Sequence, residues 1–314
     1  MKKRSALKVL CFFTGAAIAC NSFFSLLNNK SLKSTNTIDD FDIEIGASIP
    51  IIDWMVPQGL TMYEDYYLVS EYDYLHKDYS CVYTLNFEGN IINECDLNIR
   101  SHVGGISYDV ANDLLWVSSN YGCVNAYSIE DIINNCSAVP LYENIFVGDG
   151  LSNYKKPWLN SISYLNVDDN YLYVGNFSYF NGFIKKYSLL MDSITKVITL
   201  KLDSVIMVPN KVQGFTFLEL DNDKYIVFSR SYGENSPSLL QFSLFDDSIS
   251  DYSKLTDEDF VLEMPPMMEQ IYYNGNEDLY AVFESAAKPY ADKVDSPVDS
   301  ICNIDVIKLI KQRK

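Results

Sequence analysis

The constraint that bears hardest on the fold is a hairpin that the chain repeats. Residues 211–233, KVQGFTFLELDNDKYIVFSRSYG, alternate into a turn at Asp221-Asn222-Asp223 and run back out as an aromatic-rich strand. Asx side chains suit such a turn because they bond nearby backbone groups and tolerate unusual φ. The same layout occurs four more times: PQGLTMYEDYYLVSEY from Pro57, HVGGISYDVANDLLWVSSNYG from His102, WLNSISYLNVDDNYLYVGNF from Trp158 and MMEQIYYNGNEDLYAVFESAA from Met267. With Gln58, Gly104, Asn160, Gln213 and Glu269 taken as equivalent, the intervals are 46, 56, 53 and 56 residues. Repeats of roughly 40–50 residues built from short strands are the signature of propeller blades, each of four strands.

The outer strands are legible in some units. CVYTLNF and NIINECDL flank Glu88-Gly89, and GFIKKYSLL and ITKVITLKL flank Met191-Asp192. The fifth unit is one strand short, because CNIDVIKLI, from Cys302, runs out near the last residue. The missing strand is available in FDIEIGASIPIIDW, from Phe41. The sequence therefore predicts an all-β fold, a five-bladed β-propeller closed by an N-terminal strand, spanning residues 41–314. A two-sheet sandwich does not account for five similar hairpins.

Residues 1–27 read as a signal peptide or membrane anchor and 28–40 as a tether. A basic start (Lys2, Lys3, Arg4, Lys8) precedes the apolar VLCFFTGAAIA and a small-residue cleavage site at Ala17-Ile18-Ala19. Cys20 follows that site in a weak lipobox, and the apolar run resumes at SFFSLL, close to the length a membrane helix needs. Cleaved export, a lipoprotein and an uncleaved anchor stay open, and all three put the propeller outside the cytoplasm. The membrane is then engaged only through this segment.

A net charge of −18 speaks against nucleic acid, whose phosphates require a basic face. Cys81, Cys95, Cys123, Cys136 and Cys302 include no C-x-x-C pair, which removes a zinc-knuckle or thioredoxin-like reading. Cys81 and Cys95 flank the Glu88-Gly89 turn and could face each other across it.

Inner strands of a propeller line its channel, so Gln58, Gly104, Asn160, Gln213 and Glu269 are expected to ring the axis, around water, an ion or a ligand. A second group ends the second strands: Glu71, Asn176, Arg230, Tyr232 and Glu284. Glu269, Glu284 and His102 are the candidate catalytic residues, as acid/base groups. Gln58, Glu71, Asn160, Asn176, Gln213, Arg230 and Tyr232 are candidate ligand-binding residues, Arg230 because its planar fork grips carboxylates or phosphates. Glu269 and Asn160 are the candidate metal ligands, and calcium, which takes carboxylate and amide oxygens, is the cation that suits them. Glu269 is expected to seek either that cation or Arg230. H-E-x-x-H, G-x-S-x-G, a phosphate-binding glycine loop and an EF-hand loop are absent from the sequence.

PQGL, SHVGGI, VQGFT, SRSYG with NSPSLL after it, PPMMEQI and FESAA resemble a family of uncharacterised secreted bacterial propeller proteins, from about Pro57 to Tyr290. That resemblance implies the fold and brings no activity with it. Gln58-Gly59-Leu60, Ser70-Glu71 and Gly104-Gly105-Ile106 are also similar to strand starts of five-bladed glutaminyl cyclases, although Trp158-Leu159-Asn160 stands where that family has Glu-Gly-Trp-Gly. Lactonase-type propellers with an axial calcium are an analogy of fold alone. The functional expectation is a binding or scaffold propeller taking a small polar molecule, a sugar or a protein partner. The alternative is a propeller enzyme, a hydrolase or cyclotransferase with an axial cation.

Mass spectrometry of the mature N-terminus separates the three leader outcomes. A start at Cys20 bearing diacylglycerol means lipoprotein, an unmodified start near it means secretion, and an intact Met1 in membranes means an anchor. Full-length chain in the cytosol overturns all three.

Overall fold

Every repeated hairpin turns on one residue of positive φ: Glu64, Asp113, Asp169, Asn222 and Gly275. Asp, Asn and Gly are the residues that enter this region most readily, which is why the turns read as acidic and amide clusters. In the computed structural model, which describes residues 35–36, 43–147, 162–192, 194–220, 222–276, 278–306 and 308, these hairpins are the inner strand pairs of five antiparallel blades. The expected leader, most of the tether, and Asn160 with Trp158 lie outside the described residues.

Blade 1 comprises Met55–Tyr63, Tyr66–Asp73, Cys81–Leu85 and Ile91–Asp96. Blade 2 comprises Ile106–Asp109, Leu114–Ser118, Cys123–Ser128 and Tyr142–Phe146, with the helix Ile129–Asn134 before its last strand. Blade 3 comprises Tyr164–Asp168, Tyr171–Gly175, Gly182–Met191 and Ile198–Val208. Blade 4 is built on Val212–Leu220, Asp223–Arg230, Ser238–Leu244 and Phe260–Met264. Blade 5 takes Met268–Tyr273, Asp278–Phe283 and Ser300–Asp305 from one end of the chain and Ile43–Ser48 from the other. Ile43 pairs with Ile304 and Ile45 with Cys302, so the expected N-terminal closure is present.

Apolar burial makes the ring. Among the described residues the core falls into five clusters, each lying between two neighbouring blades. Val56 and Leu68 pack with Ile106 and Val117, Trp116 with Leu172, Ile184 with Phe228, Leu218 with Phe283, and Leu60 and Tyr83 with Val282 and Ile301. The last cluster joins blade 1 to blade 5 and closes the circle. Each fully buried Leu, Ile or Phe contributes about 1.5–3 kcal/mol relative to exposure, so both faces of every blade must be apolar. That accounts for the strands reading as near-continuous apolar runs.

One level along the axis from the ring residues, a single side chain links the blades. Gln270 crosses from blade 5: its Oε1 accepts from the Ile106 N–H (2.9 Å) and the Leu60 N–H (3.2 Å), and its Nε2 donates to the Ile106 carbonyl (2.7 Å). The equivalent positions of blades 1 and 4 are Gly59 and Gly214. A Cβ on Gly214 would stand 2.7 Å from Gln270 Cα, and one on Gly59 would stand 3.1 Å from Gln270 Oε1. At those two positions a larger residue would collide with Gln270.

Blade 3 corrects the register expected from sequence. Tyr164 pairs with Gly175 and Leu165 with Val174, as Gly59 pairs with Ser70 and Leu60 with Val69. Ser163, rather than Asn160, therefore holds the position of Gln58. In blade 3 the glycine, Gly175, sits on the second strand, where Tyr164 packs over it, so the inner strand carries no glycine to mark the register and the amide of Asn160 suggests the wrong residue. Cys81 and Cys95 also differ from expectation. Cys81 pairs with Asp96 and Val82 with Cys95, so the two thiols point to opposite faces of blade 1, and the described cysteines are free.

Gln270→Ala strands two N–H groups and a carbonyl at the axis. Buried unpaired groups cost about 1–3 kcal/mol each, so chemical denaturation should show a loss of about 3–5 kcal/mol with an unchanged m-value. A loss below about 1 kcal/mol would show that the axial amide is dispensable.

Candidate functional site

Bulges aim the ring residues. The inner-strand registers slip between Pro57 and Gly59, between Val212 and Gly214, and between Met268 and Ile271, which frees Gln58, Gln213 and Glu269 from the ladder. A bulge re-aims the side chain it carries, and here all three turn into one cavity of about 480 Å³ above Gln270. Ser163 and Phe177 of blade 3, His102 beside blade 2, Tyr232 beyond blade 4 and Glu284 of blade 5 line it as well.

The floor is a hydrogen-bonded chain across three blades. Gln213 Nε2 donates to Glu269 Oε1 (3.2 Å), and Gln58 Nε2 donates to Glu284 Oε2 (2.9 Å). Between them the two carboxyl groups meet, and burial favours one proton held between the pair. Glu284 stands just past the second strand of blade 5, where its N–H donates to the Met267 carbonyl across the hairpin mouth. Burial, and then the neighbouring Glu284 carboxylate, raise Glu269 well above the carboxylate range. Burial also raises Glu284, to about 7, against the opposing effect of its hydrogen bonds from Gln58 and Glu269. Two carboxyl groups this close cannot both ionise cheaply, so the pair titrates as a unit that holds one proton. Gln58 Nε2 also donates to the Pro57 carbonyl, which fixes the amide and leaves Gln58 Oε1 buried without a partner.

The walls are aromatic. Phe177, Tyr179 and Tyr232 pack with ring centroids 4.9–5.9 Å apart. Opposite them His102 stacks on Tyr72 at 4.2 Å, and the Tyr72 hydroxyl donates to Tyr290. His102 is exposed at the cavity mouth, yet the surrounding protein displaces part of its hydration, which with His76 nearby lowers its pKa to about 4. The imidazole is therefore neutral at pH 7.

Three expected site residues do not reach the cavity. Glu71 turns toward Cys81 and Tyr83 at the blade 1–blade 5 interface, both carboxyl oxygens buried and unpartnered, and burial raises it well above its ordinary range. Arg230 is spent on Asn210 and on Gln241 Oε1 (2.9 Å), and so is not the partner of Glu269. Asn176 does not line the cavity, whereas Phe177 does. The reason is strand parity. Glu71, Asn176 and Arg230 each directly follow the residue facing the inner-strand Gly or Tyr, namely Ser70, Gly175 and Ser229. Side chains alternate, so Phe177 and Ser231, one step beyond Asn176 and Arg230, are the ones that enter, as does Glu284 just past the second strand of blade 5. Sequence reading missed Ser163, Phe177, Ser231, Glu234 and Tyr290. For Phe177 and Ser231 that alternation was the available signal.

Calcium takes carboxylate and carbonyl oxygens; here Gln58 and Gln213 turn N–H groups to the carboxyl pair, and Gln58 Oε1 is the amide oxygen left without a partner. Among the described residues no three His, Cys, Asp or Glu cluster as metal ligands would. Chemically the site offers a proton-sharing acid pair, one unused acceptor and aromatic faces.

No protein-family model matches the chain and no curated protein matches it in sequence. Solved structures resemble it in fold. The RRP9 WD40 repeats are 7% identical over 84% of this chain and 99% of that one, with a TM-score of 0.45. The WD40 propeller domain of Doa1 is 9% identical over 83% and 96%, at 0.40. The Bombyx mori GH32 β-fructofuranosidase BmSUC1, in complex with sucrose, is 12% identical over 84% and 61%, at 0.46. At these identities no activity passes from them to this chain.

Stability should follow the buried carboxyl groups. A carboxyl whose folded pKa is raised keeps its proton while the unfolded chain releases it, so stability falls as pH rises from about 4.5 to about 7. His102, lowered, acts in the opposite direction over part of that range. Glu71, Glu269 and Glu284 outnumber it. Thermal melts should therefore peak near about pH 5 and drop by several degrees toward about pH 8, since about 1 kcal/mol moves Tm by ~2–4 °C in a chain this size. Glu71→Met should flatten part of the slope and raise Tm; a rising profile from pH 5 to 8 would contradict the assignment.

Proposed function

We propose that the protein is an extracytoplasmic binding propeller that takes a small polar ligand in the axial cavity, with the Glu269–Glu284 pair as its anchor. The supporting observation is convergence. Gln58, Ser163, Gln213 and Glu269 come from four blades and are aimed at one volume, and the floor carries a buried acid pair that a purely structural channel does not need. A volume of about 480 Å³ lies in the range of small-molecule sites. Export through residues 1–19, and kinship with secreted bacterial propellers, belong to the same proposal and rest on the sequence motifs alone.

The proton-sharing pair supports a second reading, a propeller hydrolase or cyclotransferase. There Glu269 is the acid and Glu284, the more accessible member, the base, in the manner of two carboxyls whose environments divide their roles. General acid–base catalysis contributes about 10²–10⁴-fold, so Glu269→Gln would lower kcat by that factor with little change in KM.

Thermal-shift screening of sugars, amino acids, amines and short peptides against the full-length chain tests the binding proposal. A ligand at 100 times its Kd stabilises by about 2.7 kcal/mol, and Glu284→Gln or Tyr232→Ala should abolish most of that shift. Ligand stabilisation that survives both substitutions would place binding elsewhere and overturn the proposal.

A further inference from the structure

The cavity's hydrogen-bonding inventory is lopsided. The amide donors on its floor are largely used, Gln58 Nε2 on Glu284 and Pro57, and one of the two Gln213 Nε2 hydrogens on Glu269. Acceptors remain. Gln58 Oε1 is fully buried with no partner, and the carboxyl pair retains lone pairs. A buried acceptor left unpaired costs about 1–3 kcal/mol, so the floor selects a ligand that brings N–H or O–H donors.

Charge narrows the class. Glu269, Glu284 and Glu234 line the cavity, and among the described residues no Lys or Arg does. Lys293 approaches Glu234 at 3.8 Å, but that pair is about one-third to one-half exposed and screened by solvent. The chain's charge of −18 draws cations toward such a cleft. The walls agree: Phe177, Tyr232 and Tyr290 offer ring faces, and Lys211 Nζ already rests 5.8 Å from the Tyr232 centroid. Ammonium groups are attracted to aromatic faces within about 6 Å.

We propose that the ligand is a small organic amine in its protonated form, its ammonium donating to Gln58 Oε1 and the Glu269–Glu284 pair and its apolar part lying between the aromatic walls. This deepens the binding reading above and rests on it. The ammonium's positive charge at the pair replaces the shared proton, so binding is an exchange: the ammonium enters and the proton of the Glu269–Glu284 pair leaves to solvent. The groups facing the pair across the cavity are Gln58, Gln213, His102, Glu234, Tyr72 and Tyr290. His102 is neutral and the tyrosines stay protonated near neutrality, so the released proton comes from the pair.

Isothermal titration of the full-length chain with benzylammonium, benzyl alcohol and benzoate tests this, since the three share a shape and differ in charge. The expected result is benzylammonium bound at least about tenfold more tightly than the alcohol, a difference of about 1.4 kcal/mol, with no binding of benzoate. Titrations in two buffers of different ionisation enthalpy should show proton release on benzylammonium binding, and its affinity should rise from pH 5 to pH 8. Glu284→Gln, whose side chain reaches the cavity surface and whose fold is checked by circular dichroism, should erase the preference for the cation. Equal binding of the alcohol, binding of benzoate, or benzylammonium binding without proton release each overturns the amine assignment. So does failure of benzylammonium to bind at millimolar concentration, and in that case a saccharide hit that depends on Glu284 would leave the cavity's binding role intact.

Discussion

Five inner strands converge on one axis, and the space they leave accepts a single amide. Gln270 fills it, joining the backbones of blades 1 and 2 to blade 5. Because Gly59 and Gly214 stand at the matching positions, blades 1 and 4 approach that side chain closely, and a second large residue at either would push the ring apart. The cavity's depth follows from this. With the axis filled at the level of Gln270, the residue before it, Glu269, is turned by its bulge to the opposite side and becomes the floor of a blind pocket.

Setting two carboxyl groups on that floor is unfavourable for folding. Each would rather be solvated, and each disfavours ionisation of the other. The structure offsets this with a shared proton and two flanking amides, one from each neighbouring blade. Gln213, Glu269, Glu284 and Gln58 thus form a line that exists only when blades 4, 5 and 1 are docked. The acid pair itself lies within the inner hairpin of blade 5, whose outer edge the N-terminal strand Ile43–Ser48 completes. Arg230 shows the contrast. Three of its five guanidinium N–H donors are bonded to Asn210 and Gln241, which holds it beside blade 4 and away from the cavity.

Much of this was legible in the chain. The Asx turns, the aromatic second strands and the short fifth unit required five blades and an N-terminal closing strand, because local turn chemistry and strand patterning are properties of contiguous residues. The ring positions Gln58, Gln213 and Glu269 were legible for the same reason, as they recur at one place in the repeat. Phe177 was missed beside Asn176 because its direction depends on where a strand's alternation is anchored, and the anchor lies in a neighbouring strand.

What the sequence by itself determined is the blade count, the closure and the set of polar residues near the axis, since each is written in short stretches. The tertiary structure decided which of those residues meet. Whether Glu269 faces a metal, Arg230 or Glu284 is set by strand parity and by the packing of blades far apart in sequence. Glu284 lies 226 residues from its donor Gln58, and no local pattern encodes that pairing. The placement of Ser163 was likewise decided by cross-strand register. A glycine moved from the inner to the second strand preserves the packing and shifts the repeat, and only the paired strands reveal on which side the space was left.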